Sequence, residues 1–251
     1  MTTWLFDLGN SRLKLAPLLG DGDGDGDDVG EVTAIPHDGA AFAPGWEARL
    51  PTGFDLACVA TVAGDRLSAQ LFEALAGRCK QVSIARTQAS LADLRIAYPQ
   101  PQRLGVDRFL ALLATRARAQ RAALVVGVGT ALTIDLLDAT GQHLGGRIAP
   151  SPALMRAALH ARAPALPEHG GVYREFGKDT DDALASGCEG AALGLVGRSL
   201  DEATRLLAGA APDLLLHGGG APALLPRLPT AVHAPALVMQ GLAQWARIVG
   251  A

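Results

Sequence analysis

Two similar α/β domains facing each other across a cleft are the architecture this sequence predicts, and three observations carry it. Apolar residues switch repeatedly between strand-like alternation and helical spacing along the 251 residues. A strand–turn–strand unit, Asp7-Leu-Gly9-Asn10-Ser11, recurs as Gly127-Val-Gly129-Thr130-Ala131, with Gly9 and Gly129 nearly half the chain apart. A third glycine cluster, Gly218-Gly219-Gly220, directly follows another short strand. The expected domains are residues 1–118 and 119–251.

The elements follow in order. Residues 3–8 read as a strand, and Gly9-Asn10-Ser11-Arg12 as a hairpin turn into a second strand over 13–18. The acidic run Asp21 to Asp28 reads as a solvated loop before a third strand at 32–35. A strand is expected at 56–62. Leu67, Leu71 and Leu75 then mark a helix between 65 and 78, followed by a strand at 82–85. A long helix starts near Val106. The strand 122–126 is expected to stop at Gly127, with strands at 132–137 and 143–148 joined by Thr140-Gly141. Helices at 152–162, 181–207 and 236–249 and a strand at 214–217 complete the chain.

Composition narrows the function classes. Lys plus Arg number 22 against 25 Asp plus Glu, a formal charge of −3, which gives no electrostatic case for nucleic acid or an anionic membrane. The longest uncharged apolar run, Ala122 to Ile134, is too short to span a bilayer. The N-terminus has neither a basic nor a long apolar segment of the secretory kind. Three widely spaced cysteines form no C-x-x-C pair, so a reducing cytoplasm is the expected location. The six histidines show no metal-ligand spacing and read as surface or packing residues.

The 30 glycines could serve turns or a ligand. Leu132 stands where a dinucleotide fingerprint needs its third glycine, and Gly177-Lys178-Asp179 lacks the hydroxyl of a Walker A loop. Asp21, Asp23 and Asp25 mimic an EF-hand start, but Val32 replaces its bidentate Glu, so a plain loop is the better reading. What survives is a pair of strand-end turns that can offer backbone N–H groups and short hydroxyls to phosphate oxygens. Asp7 is placed to hold Mg²⁺ and Lys14 to reach phosphates as a point charge. An ordinary hairpin over Asp7 to Lys14 is the competing reading of that stretch alone.

Four segments together are specific: Asp7 to Lys14, Leu104-Gly105-Val106-Asp107-Arg108-Phe109, Gly129-Thr130-Ala131-Leu132-Thr133-Ile134-Asp135, and Leu144-Gly145-Gly146-Arg147-Ile148-Ala149-Pro150. In this order they resemble the type III pantothenate kinases, of the sugar kinase and actin-like ATPase superfamily with two ribonuclease-H-like domains. The resemblance implies ATP-dependent phosphorylation of pantothenate to 4'-phosphopantothenate, the first step towards coenzyme A, by a homodimer. It implies that Asp7, Leu8, Gly9, Asn10, Ser11, Arg12, Leu13 and Lys14 form the first phosphate loop. Thr130, Gly218 and Gly219 complete the ATP site, and Asp7 holds Mg²⁺. Asp107 becomes the general base, with Tyr98, Gly105, Val106, Asp107, Arg108 and Thr180 on pantothenate. Spacing alone would read Asp107 as an acid at a helix start.

The sequence also departs from the family. Many members carry an Asp before the second loop that binds a monovalent cation, K⁺ or NH₄⁺; here that residue is Gly127. Pro150-Ser151 replaces the usual Pro-Gly, and Ala163 stands where a Thr is expected. These departures motivate an alternative, a catalytically weak relative acting as a regulatory or accessory ATP-binding protein.

Overall fold

The computed structural model describes residues 1–20 and 28–250. Of the acidic run read as a loop, residues 21–27 lie outside the described residues. Asp28 is described; it is buried and ion-paired with Arg247.

The first compact unit comprises residues 1–120 together with 236–251. Strands β1 (Thr3–Leu8), β2 (Arg12–Pro17) and β3 (Thr33–Pro36) form an antiparallel meander. β4 (Phe54–Thr61), helix α1 (Asp65–Leu75) and β5 (Cys79–Ile84) follow, with β4 parallel to β1 and β5 parallel to β4. The sheet order is therefore β3-β2-β1-β4-β5. A two-stranded hairpin, β6 (Ser90–Leu91) and β7 (Leu94–Arg95), precedes helix α2 (Val106–Arg118).

The second unit spans residues 121–235. β8 (Ala123–Val128), β9 (Ala131–Leu137) and β10 (His143–Pro150) make another antiparallel meander. Helices α3 (Pro152–Arg162) and α4 (Thr180–Leu206) lead to β11 (Asp213–His217), the short α5 (Ala221–Leu224) and β12 (Ala231–His233). The order β10-β9-β8-β11-β12, with β11 parallel to both neighbours, repeats the first sheet strand for strand. The duplication visible as two glycine turns is thus a duplication of whole sheets.

Alternation explains how each sheet serves two layers. In β1, Phe6 and Leu8 point into a core with Leu67, Leu71 and Leu75 of α1. Thr3, Leu5 and Asp7 take the other face because successive strand residues alternate. In the second sheet Leu124, Val126 and Val128 pack with Ala192, Val196 and Ala203 of α4. Gly127, Thr133 and His217 therefore lie on the opposite face.

Two expectations need correcting. The sequence boundary put 236–251 with the second domain, whereas α6 (Leu237–Val249) packs on α2, β1 and β4 of the first unit. The reason is a close helix crossing: a Cβ added at Gly241 would lie 1.9 Å from the Leu110 carbonyl oxygen. A break at Gly127 was also expected, but β8 continues through Val128. Gly127 is paired on both sides, with Thr133 and with His217, so its lack of a side chain does not end the strand.

Candidate active site

In the first unit the sequence brings charge to one corner. Asp7 and Lys14 are directly opposed across β1 and β2, so both side chains take the face that α2 and α6 cover. Asp107 sits in the first turn of α2 and is close enough to act on the Asp7 carboxylate. Asp7 is only 7% exposed. Burial pushes its carboxyl up to about 6, Lys14 opposes that rise, and Asp107 adds to it.

The Asp107 carboxylate is held by its own helix start. Its Oδ1 accepts the backbone N–H of Arg108 at 2.8 Å. Gly105, directly before the helix, leaves the carboxylate its room, since a Cβ there would meet Oδ1 at 2.6 Å. Arg108 is buried; it donates to the Tyr98 hydroxyl at 3.4 Å, with its guanidinium carbon 5.9 Å from the Tyr98 ring centre. Asp7, Lys14, Gly105, Asp107, Arg108 and Tyr98 thus belong to one unit.

The turn after β1 is short and braced. Gly9 N–H donates to the Arg12 carbonyl at 3.1 Å, and the His37 ring lies 3.1 Å from the Gly9 carbonyl. Asn10, Ser11 and Arg12 are exposed. Leu8 and Leu13 are fully buried core residues paired with each other across the ladder, so neither side chain faces a ligand at the turn. The turn does not need its glycine: a Cβ at Gly9 would meet only the Arg12 oxygen, at an ordinary 3.6 Å.

The turn after β8 behaves alike. Gly129 donates to the Ala131 carbonyl at 2.9 Å, Thr130 is exposed, and a Cβ at Gly129 would find ordinary contact at 3.9 Å. Gly218 is different. It has φ +91° and would place a Cβ 2.4 Å from the Val128 oxygen, so the fold itself demands glycine there. Gly219 next to it is exposed. Thr180 is exposed at the start of α4, where Asp179 caps the helix by accepting the Asp182 N–H at 2.8 Å.

Comparison with known proteins decides the family. A family model described as type III pantothenate kinase matches residues 4–202. The type III pantothenate kinase of Stenotrophomonas maltophilia is 57% identical over 246 residues, covering 98% of both chains. That of Xanthomonas campestris pv. campestris is 55% identical over the same coverage. The chain belongs to the type III pantothenate kinase family.

Solved structures agree on the fold. A conserved Campylobacter jejuni protein assigned to the Baf family of transcriptional activators superposes with a TM-score of 0.64 at 20% identity, over 97% of each chain. A Sinorhizobium meliloti protein assigned as a 2-dehydro-3-deoxygalactonokinase gives 0.56 at 16% identity, over 98% of this chain and 99% of its own. The archaeal actin homologue Ta0583 gives 0.51 at 10% identity, over 98% and 99%. Family and fold neighbours together make this an actin-like α/β kinase. Among the described residues, no helix is long and apolar enough to cross a membrane.

His37 and His217 hold packing positions, as expected of the histidines: the His37 ring braces the first turn and lies edge-on to Phe42, and His217 ends β11 with its ring against Gly127. The partners of each come from tertiary packing, which no local pattern encodes. A surface pocket of about 530 Å³ beside Phe42, Trp46, Gln70, Glu73 and Arg78 contains none of the predicted site residues.

Proposed function

We infer the roles of individual residues within an activity that family membership fixes. This kinase phosphorylates pantothenate with ATP, in coenzyme A biosynthesis. The observation that carries the assignment is the acidic corner: Asp107 at the start of α2, beside the buried Asp7 and its cross-strand partner Lys14.

Asp107 is the general base in this reading. Its carboxylate takes the proton from the terminal hydroxyl of pantothenate as that oxygen bonds to the γ-phosphorus, and the bond to the bridging oxygen breaks to release ADP. Buried Arg108, braced by Tyr98, offers a planar guanidinium for the pantothenate carboxylate. Gly105 and Val106 set the start of the helix beneath it. Lys14 supplies a positive charge to phosphate oxygens. Asn10, Ser11 and Arg12 offer main-chain and side-chain donors next to Gly9, as do Thr130, Gly218 and Gly219 in the second unit. Gly9 and Gly129 are glycines their turns do not require, as expected where backbone must approach a ligand closely.

Asp7 fits a divalent cation. A buried carboxylate whose pKa has risen, next to a second acid, is a hard-oxygen donor whose charge needs a positive ion. Mg²⁺ bound there would neutralise charge on the phosphates. Homodimerisation and contact of Thr180 with pantothenate belong to this reading; exposed Val172 and Phe176, shortly before α4, give apolar surface for a partner copy. A cytoplasmic location fits three cysteines that are all free thiols.

The test is ADP formation from ATP that requires pantothenate. Asp107→Asn should keep the fold and lose at least about a hundredfold in kcat. Undiminished turnover in that variant would remove Asp107 from its role. The regulatory alternative predicts ATP binding without turnover in the unaltered protein.

A further inference from the structure

One level of the second sheet holds an arrangement the mechanism has not used. Thr133, Gly127 and His217 are consecutive cross-strand partners on β9, β8 and β11. Neighbouring strands lie about 4.8 Å apart, and residues directly opposed share a face. Position 127 therefore points its side-chain direction between a hydroxyl and an imidazole. A Cβ built there would meet Thr133 Oγ1 at 2.7 Å, His217 Nε2 at 2.9 Å and His217 Cε1 at 3.0 Å. With the hydroxyl and the ring where they are, a methyl group at 127 would displace one of them, and a carboxylate would displace the ring.

This is the position where many family members carry the acid that holds a monovalent cation. The residues present do not fit that ion. Gly127 contributes no charged oxygen, and a neutral or protonated imidazole, a poor ligand for a hard alkali cation, packs into the space the acid would fill. Glycine and histidine here form a complementary exchange: removing the side chain at 127 makes room for the ring from 217. A ring N–H is a hydrogen-bond donor in both protonation states, so it can serve an anionic group without an ion between them.

We propose that this kinase works without a monovalent cation, the His217 imidazole taking the ion's place beside Gly127. The inference rests on the kinase reading above, and two readouts keep the two separable. The first is turnover in potassium chloride against tetramethylammonium chloride of equal concentration, each with Mg²⁺. The rates are expected to agree within about twofold; stimulation by potassium of about tenfold or more overturns the proposal and leaves the kinase reading standing. The second is ATP affinity by calorimetry in the same two salts, which decides the matter even if neither salt supports turnover. Equal affinity supports the proposal, and about tenfold tighter binding in potassium overturns it. His217→Ala should weaken ATP binding by about fivefold or more in both salts; unchanged affinity, or affinity restored by potassium, contradicts the exchange.

Discussion

Asp7 is the residue whose chemistry and stability pull in opposite directions. Its folded pKa, about 6, lies above its ordinary value of 3.8, mainly through burial. The folded chain therefore holds that proton more tightly than the unfolded chain does. This contribution to stability is present below about pH 4 and is lost as pH rises towards 6. Above that range, ionised Asp7 costs the fold roughly 3 kcal/mol when no metal is bound. Asp7→Asn should raise the denaturation midpoint at about pH 8, in chelator, and change it little at about pH 4. An equal effect at both pH values would show that the carboxylate's charge is not the source. The same substitution should abolish Mg²⁺-dependent turnover, so stability and activity separate at one side chain.

Among the elements, the helices differ in what their glycines do. Gly241 of α6 lies against the Leu110 backbone of α2, and backbone cannot step aside as a side-chain tip can. Gly241→Ala should cost about 3 kcal/mol in urea denaturation by overpacking the α2–α6 crossing. Gly187, inside α4, has open space around its Cβ direction. Gly187→Ala should instead stabilise by about 0.5–1 kcal/mol through helix propensity. Similar effects at the two sites would mean that the crossing is looser than its geometry states.

Much of the element order was legible because strand alternation and helical spacing are local. The strand over residues 3–8 is found where expected, and the helix marked by Leu67, Leu71 and Leu75 buries those three residues. The destination of α6 was not legible. Its apolar face is equally suited to either unit, and the glycine that selects α2 acts through contact with a helix more than a hundred residues away. In the first unit the placement of Asp7, Gly105 and Asp107 was legible, because each sits beside a turn or helix start that fixes it locally. The partners of His37 and His217 were not, because they come from strand register and loop packing, which no local pattern encodes.

Across the whole molecule, two copies of one sheet topology have taken on different chemistry. The first unit gathers carboxylates, Asp7 and Asp107, with Lys14 and Arg108 beside them. The second offers bare backbone and hydroxyls at its turn, with Thr133 and His217 closing around Gly127. A duplicated scaffold allows this division because each copy presents a turn at the end of its first strand, and the residues at that turn can change without disturbing the sheet. The central claim is that Asp107 faces the hydroxyl to be phosphorylated. A structure of the protein with pantothenate bound tests it most directly. The account predicts the terminal hydroxyl oxygen within about 2.6–3.2 Å of an Asp107 carboxylate oxygen, or one water away, with the pantothenate carboxylate at Arg108. A hydroxyl directed away from Asp107, with no water linking the two, would contradict it.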